Sequence, residues 1–488
     1  MPDPVFATDA RQRDIAVELH ALVRDLPLIC PHGHVDPGLL AGDEPFPDPA
    51  HLLVVPDHYV TRMLLSQGIP PARLGVPTRD GSPVETDGRT IWRLLAQNWH
   101  LFRGTPSRLW LEQTFTRVFG IDTPLSAKTA DLLYDAIAER LAEPAFRPRA
   151  LFERFTIEVL ATTESPLDDL SRHAKLAADG WGGPGGRVIT TFRPDEVVDI
   201  EFDGWASKIA RLGELTGSDT TTFTGYLDAL RARRAAFIEA GATSSDHGHL
   251  TARTERLSKT DVQALFERAL RGTASPADAE LFRAHMLLEF TRMSLDDGLV
   301  LQLHPGAVRN HNRWLHETHG RDVGGDIPQA TDYVHALRPL LEEHGNDPRL
   351  RIVVYTLDEH TYSRELAPLA GGYAALYLGA PWWFLDTPDG LRRFRESVTD
   401  SAGFYNTAGF VDDTRAFCSI PVRHDIARRS DAAYLASLVA QDRLPYDEAA
   451  ETIADLAYHL PKKIFRLDSP PSAPTTAASP TPRDEAPQ

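Results

Sequence analysis

Leu28-Ile29-Cys30-Pro31-His32-Gly33-His34 places a short apolar run directly before two histidines that are two residues apart. On an extended strand, side chains two apart share a face, so both imidazoles project together where the strand ends. Two converging ring nitrogens are half of a metal site. A lone His-x-His is more often a pair of polar loop residues. Its place at a strand end, and the partners found far downstream, give this one weight.

Upstream, Arg11 to Leu26 reads as a helix, with Ile15, Leu19, Leu22, Val23 and Leu26 on one face. Downstream, from about Leu40 to Pro148, the pattern is mostly helical. Segments Ile91–Leu101, Ser107–Phe119 and Thr129–Leu141 follow one another there, with Trp92, Trp99 and Trp110 at core-like spacing in the first two. After that, apolar β-rich runs alternate with helical stretches: Thr156–Ala161, Val188–Phe192, Ala242–Ser245, Leu299–Leu303, Arg351–Thr356, Ala374–Leu378 and Asn406–Val411. With Leu28–Cys30 these make eight strands, several continuously apolar as strands buried on both faces are. Helices fall between them, among them Phe223–Ala240, and one opening at Ser275-Pro276 with an N-cap and proline at the first position. The pattern predicts an α/β fold, a (β/α)8 TIM barrel with a helical insertion after the first strand. The expected division is residues 1–39, N-terminal helix and first strand; 40–150, the mostly helical insertion; 151–467, the rest of the barrel; and 468–488, a tail rich in Pro, Ala, Ser and Thr that is expected to be disordered.

The 488 residues are 42% hydrophobic and 25% charged, with a formal net charge of -18. An acidic surface argues against nucleic acid and anionic membranes as partners. An anionic small substrate would need local arginines. Two cysteines, Cys30 and Cys418, give no disulfide framework, and the polar start of the chain gives no secretory signal. No apolar run is long enough to cross a bilayer. A cytoplasmic setting is expected.

In such barrels the chemistry gathers at the C-terminal strand ends. Polar residues stand there after every predicted strand: His32 and His34; Thr162-Thr163-Glu164; Arg193-Pro194-Asp195; Asp246-His247; His304, with Arg309 nearby; Asp358; Trp382-Trp383; and Asp413 with Arg415. First and eighth strands are neighbours in a closed barrel, so His32, His34 and Asp413 can meet as a two-nitrogen, one-oxygen metal site with an open position. His304 or His247 is a candidate fourth ligand or a hydrogen-bonding support. None of the six lysines falls at a strand end, so no modified lysine bridges two metals, and a single divalent ion, expected to be zinc, follows. Asp57-His58-Tyr59 opens a helix that can fold back over the barrel mouth, where a tyrosine of lowered pKa could move a proton. No glycine-rich dinucleotide fingerprint follows a strand, so no nicotinamide is expected.

From about Ala10 to Arg466 the chain resembles the uronate isomerase family of the amidohydrolase superfamily. The motifs are His32-Gly33-His34, Asp57-His58-Tyr59 with Arg62, Phe192-Arg193-Pro194-Asp195, Ser245-Asp246-His247-Gly248, Gln302-Leu303-His304-Pro305-Gly306 leading to Arg309-Asn310, Trp382-Trp383-Phe384, and Asp413-Thr414-Arg415 leading to Arg423-His424. Departures from the common pattern are Gly33 in place of Cys, Glu164-Ser165 in place of two aspartates, Pro305 after His304, and Asp412 in place of Thr. None removes a proposed ligand; the Glu164-Ser165 change lies where it could alter substrate preference.

The resemblance implies interconversion of aldo- and keto-hexuronates, glucuronate with fructuronate and galacturonate with tagaturonate, through a cis-enediol with no net redox change. It implies Asp413 as base and metal ligand, Tyr59 as proton shuttle, and Arg415 as the donor that steadies the developing oxyanion. Arg193 is the first candidate for the C6 carboxylate and Arg309 the second. His58, Trp382, Trp383 and His304 complete the expected substrate contacts, and a homo-oligomer is expected. A metal-dependent hydrolase or decarboxylase on the same barrel would share His32, His34 and Asp413 but would not need Tyr59 or a carboxylate-binding arginine. A non-catalytic sugar-acid binder would need neither metal nor proton-transfer groups, and an isomerase of a rarer sugar acid would use the same set.

Overall fold

The computed structural model describes residues 5–6, 9–181 and 186–468; the predicted tail from 469 onward lies outside them. Parallel strands Leu28–Cys30, Ile157–Ala161 and Arg187–Ile189 form one ladder in that order. Ser244–His247, Val300–Leu303, Ile352–Val354 and Leu376–Leu378 form a second. Phe192 bridges to Ser245 and joins the two ladders. Thr407 bridges to Leu378, and the His34 N–H donates to the Thr414 carbonyl at 3.0 Å, closing the ring back onto the first strand. The fold is a barrel of the (β/α)8 type.

Alternation explains which side chains face the axis. Ile29, Val159, Ala161, Ile189, Val300 and Val353 pack into one interior cluster. Their neighbours Leu28, Cys30 and Leu160 pack outward under helices on one side, and Leu301, Leu303, Ile352 and Val354 do so on the other. Each such side chain contributes about 1.5–3 kcal/mol on burial. This double burial is why Leu28–Cys30 and Ile352–Val354 are apolar throughout.

The segment between the first and second strands is helical: Pro37–Gly42, Pro49–Leu53, His58–Leu65, Gly88–Gln97, Pro106–Arg117, Ala130–Leu141 and Pro148–Arg154. Asp57 caps the third of these, its carboxylate accepting from the Tyr59 N–H at 2.9 Å. That cap aims His58 and Tyr59 at the barrel mouth.

Two strand predictions need correction. The run predicted at Ala242–Ser245 forms its strand at Ser244–His247, carrying Asp246 and His247 within the ladder rather than after it. Asn406–Val411 forms no ladder, only the Thr407 bridge. Gly409, with φ 75°, breaks the extended run there, and a Cβ on it would meet the Leu456 carbonyl at 2.9 Å. A small antiparallel pair, Ala307–Val308 with Ile327–Pro328, sits between the fifth and sixth barrel strands and was not predicted. No helix among the described residues is long and apolar enough to cross a membrane.

Candidate active site

His32, His34 and Asp413 converge. His32 Nε2 lies 3.4 Å and His34 Nε2 3.1 Å from Asp413 Oδ1. Asp413 adopts φ 38°, in the left-handed region, which turns its carboxylate toward the two imidazoles. Burial alone would raise the Asp413 pKa, but the His32 and His34 contacts hold it well below the usual carboxylate range. Asp413 Oδ1 is buried without a hydrogen bond that satisfies it. An orphaned carboxylate oxygen faced by two ring nitrogens, all three ligand atoms within 4.8 Å of one another, fits a cation.

His304 stands beside this set. Val300, Gln302 and His304 share the inner face of the fifth strand and its continuation, so the imidazole points inward. Its ring stacks on His32 at 4.7 Å and on Tyr355 at 3.9 Å. Its Nδ1 meets Asp246 Oδ1 at 2.7 Å, and its Nε2 is buried without a partner. His304 thus groups with His32 and Asp246 rather than with Asp413. His247, one residue off Asp246, faces the other way: its ring packs on Phe290 at 4.6 Å and its Nε2 meets Ser245 Oγ. It is not placed to touch the His32 cluster.

The arginines differ in how firmly they are held. Arg193 is pinned by Asp195 at 3.0 Å and Asp246 at 3.2 Å. Arg309 pairs with Asp326 at 2.8 Å, while Asp326 also accepts from the Asn310 N–H at 2.7 Å. Gly248 lets these two guanidinium groups approach: a Cβ there would lie 2.8 Å from Arg193 Nη2 and 3.2 Å from Arg309 Nη2. Arg415 is looser, 3.4 Å from the Asp322 carbonyl and 3.7 Å from its carboxylate, with its side chain 40% exposed.

Above the cluster lie the aromatic groups. His58 stacks on Tyr59 at 4.8 Å and meets the edge of Trp383 at 5.6 Å. Trp382 meets His304 edge-on at 4.8 Å. Burial, with Arg415 nearby, lowers the His58 pKa to about 3, so its ring is neutral at pH 7. Burial pushes the Tyr59 phenol well above 10. The lowered tyrosine pKa considered from sequence is not found: Tyr59 rests protonated and is suited to donate. His58, Tyr59, His304, Trp382 and Trp383 line one cavity of about 900 Å³ together with His32, His34, Asp413, Arg193, Arg309 and Arg415.

Several lining or supporting groups were given no role from sequence. Asp246 joins His304 to Arg193. Asp386, its pKa raised by burial to about 6, pairs with Arg423 at 2.6 Å, and Arg423 lies 3.7 Å over Trp110. Asp322 and Asp326 sit in a loop without strand or helix periodicity, where two aspartates flanking Gly324-Gly325 were the available signal.

Residues 9–465 match the model of the glucuronate isomerase family. The chain is 59% identical to the uronate isomerase of Phenylobacterium zucineum, over 98% of each chain. Among solved structures, the glucuronate isomerase of Caulobacter crescentus superposes with a TM-score of 0.93 at 55% identity, covering 96% of this chain and 97% of that one. The uronate isomerase of Thermotoga maritima gives 0.88 at 29% identity, covering 95% and 99%.

Proposed function

The chain belongs to the glucuronate isomerase family and is an isomerase, and on that premise we propose that it interconverts D-glucuronate with D-fructuronate and D-galacturonate with D-tagaturonate by proton transfer through a cis-enediol. The observation that carries this reading is the shared cavity, lined by the Asp413 carboxylate, the Tyr59 phenol and the guanidinium groups of Arg193, Arg309 and Arg415. Neither a hydrolase nor a decarboxylase is favoured by the comparisons.

His32, His34 and Asp413 would hold one divalent cation, with zinc the ion proposed for a two-nitrogen, one-oxygen set. Such an ion supplies a fixed positive charge that steadies oxygen-borne charge on a bound sugar. The chain's own groups do the rest. The Asp413 carboxylate is ionised at neutral pH, takes the C2 proton and delivers a proton to C1 when the enediol collapses. Tyr59, protonated at rest, donates to the sugar oxygen and recovers its proton as the enediol collapses. Arg415, only loosely held, is free to turn its N–H groups to the developing oxyanion, worth on the order of 3 kcal/mol. Arg193 and Arg309 are fixed by their own aspartates in one place, a rigid seat for the C6 carboxylate. His58, neutral, and the Trp382 and Trp383 rings wall the sugar and exclude water. A cytoplasmic homo-oligomer completes the proposal.

The test compares metal-stripped and zinc-reloaded protein for ketose formation from each aldohexuronate. Ketose that returns with zinc supports the reading. A protein that carries zinc and forms ketose from neither sugar would overturn it.

A further inference from the structure

The cavity is built for an anion, yet it already holds one. Asp322 lines the same cavity as Arg193, Arg309 and Arg415. Its backbone carbonyl accepts from Arg415 Nη1 at 3.4 Å, and its carboxylate lies 3.7 Å from Arg415 Nη2. Both contacts are long compared with the 2.8–3.2 Å that fix Arg193 and Arg309 to their own aspartates. The carboxylate is still 54% exposed, so it occupies the opening without being locked into it.

The backbone around Asp322 accounts for this placement. Asp322 has φ 58°, a strained conformation for a residue with a side chain. Gly320 at φ 95° and Gly324 at φ 89° bracket it, two positions where the chain turns as only glycine does easily. Gly324 is packed tightly: a Cβ there would sit 3.2 Å from the His58 carbonyl and 3.1 Å from Arg62 Cβ. The loop is therefore seated against the very helix that presents His58 and Tyr59. Its aspartate is delivered to the arginines by backbone geometry rather than by a strong ion pair. Arg415 is the first of the charges that hold the carboxyl below its ordinary range, followed by Arg193, Arg309 and His34 after the opposing effect of burial.

We infer that Asp322 is a resident counter-ion of Arg415, a placeholder that the anionic sugar must displace before Arg415 can serve the reaction. This deepens the uronate reading and rests on it. A carboxylate held on Arg415, in the same cavity as the arginines that seat the sugar's own carboxylate, repels an incoming anion, so the placeholder tunes affinity for anions downward. An exposed, loosely made pair of this kind is worth a fraction of a kilocalorie to one kilocalorie, so its removal should be felt as a change of roughly two- to five-fold.

The experiment compares wild type with Asp322→Asn, which keeps the side-chain shape and removes the charge. Steady-state KM for the preferred hexuronate and the inhibition constant of inorganic phosphate are measured in the zinc-loaded enzyme. The expected result is a KM roughly two- to five-fold lower in Asp322→Asn and tighter inhibition by phosphate. A KM that rises would make Asp322 a ligand of the sugar hydroxyls, and a KM and phosphate constant that do not move would make it an inert surface charge; either overturns the placeholder. Asp322→Glu, which restores the charge, should return both constants toward the wild-type values. If the wild type forms no ketose, the functional reading itself fails, and phosphate binding by equilibrium titration still decides the fate of Asp322.

Discussion

At the residue scale the account turns on Asp413. Its left-handed backbone and its two imidazole neighbours assign it one orientation and one charge state. Asp413→Asn removes that charge while keeping the size, so isomerisation should fall by about 10³-fold or more with the circular dichroism spectrum unchanged; near-normal turnover would remove Asp413 as the base. Glu164 offers a separate test. Its carboxylate accepts from Thr162 at 2.9 Å and from Thr190, and burial raises its pKa to about 7. The folded protein therefore keeps a proton that the unfolded chain releases near pH 4.5. This contribution to stability is full below that pH, is lost as pH rises through about 7, and is then level, amounting to roughly 3 kcal/mol. Glu164→Gln should flatten the fall in urea midpoint between pH 5 and 8. Equal slopes in the two proteins would show that Glu164 is not protonated in the fold. The convergence of His32 and His34 was legible at this scale because His-x-His is a local signal. The role of Asp246 was not, since nothing in Asp246-His247 tells which of the two faces inward until the strand's alternation is placed.

At the element scale, turns and caps set the site. Gly248 follows the fourth strand, and a side chain there would press on Arg193 and on the Asp195 carboxylate at 2.8 Å. Gly248→Ala should raise KM for the hexuronate at least several-fold, with smaller effect on stability than on binding; an unchanged KM would mean that Arg193 does not seat the carboxylate. The long helix Pro276–Asp297 opens with a full capping box, Ser275 and Asp278 each bonded to the other's backbone. Ser275→Ala should lower stability by about 1 kcal/mol and leave turnover alone, as read by denaturant unfolding beside a kinetic assay. Helix ends such as this one, and the helix at Phe223–Glu239, were readable because capping residues and glycine punctuate them. The eighth strand was not, because its apolar composition resembles a strand while Gly409 bends the backbone out of the ladder. The pair at Ala307–Val308 and Ile327–Pro328 was also hidden, since two-residue strands leave no period to read.

At the scale of the whole molecule, an acidic chain gathers Arg193, Arg309 and Arg415 in one cavity, the arrangement proposed to bind the anionic sugar. The net charge of -18 sets the far field, while Arg193, Arg309 and Arg415 set the local one. Barrel closure lets this happen, because it brings the beginning of the chain, His32 and His34, against Asp413 near its end. The alternation of apolar runs and helices made that closure foreseeable. The loop carrying Asp322 and Asp326 obeys no such period, and its place in the cavity emerges only from the folded chain. The most direct test of the central claim is proton NMR of the zinc-loaded protein with D-glucuronate and D-galacturonate in deuterated water. The account predicts conversion to the ketose, with deuterium entering at C1 to the extent that the base exchanges its proton with solvent while the enediol is bound. Absence of ketose from both sugars would contradict it, whereas ketose formed with no deuterium at C1 would point to a proton shielded from solvent or to a hydride shift.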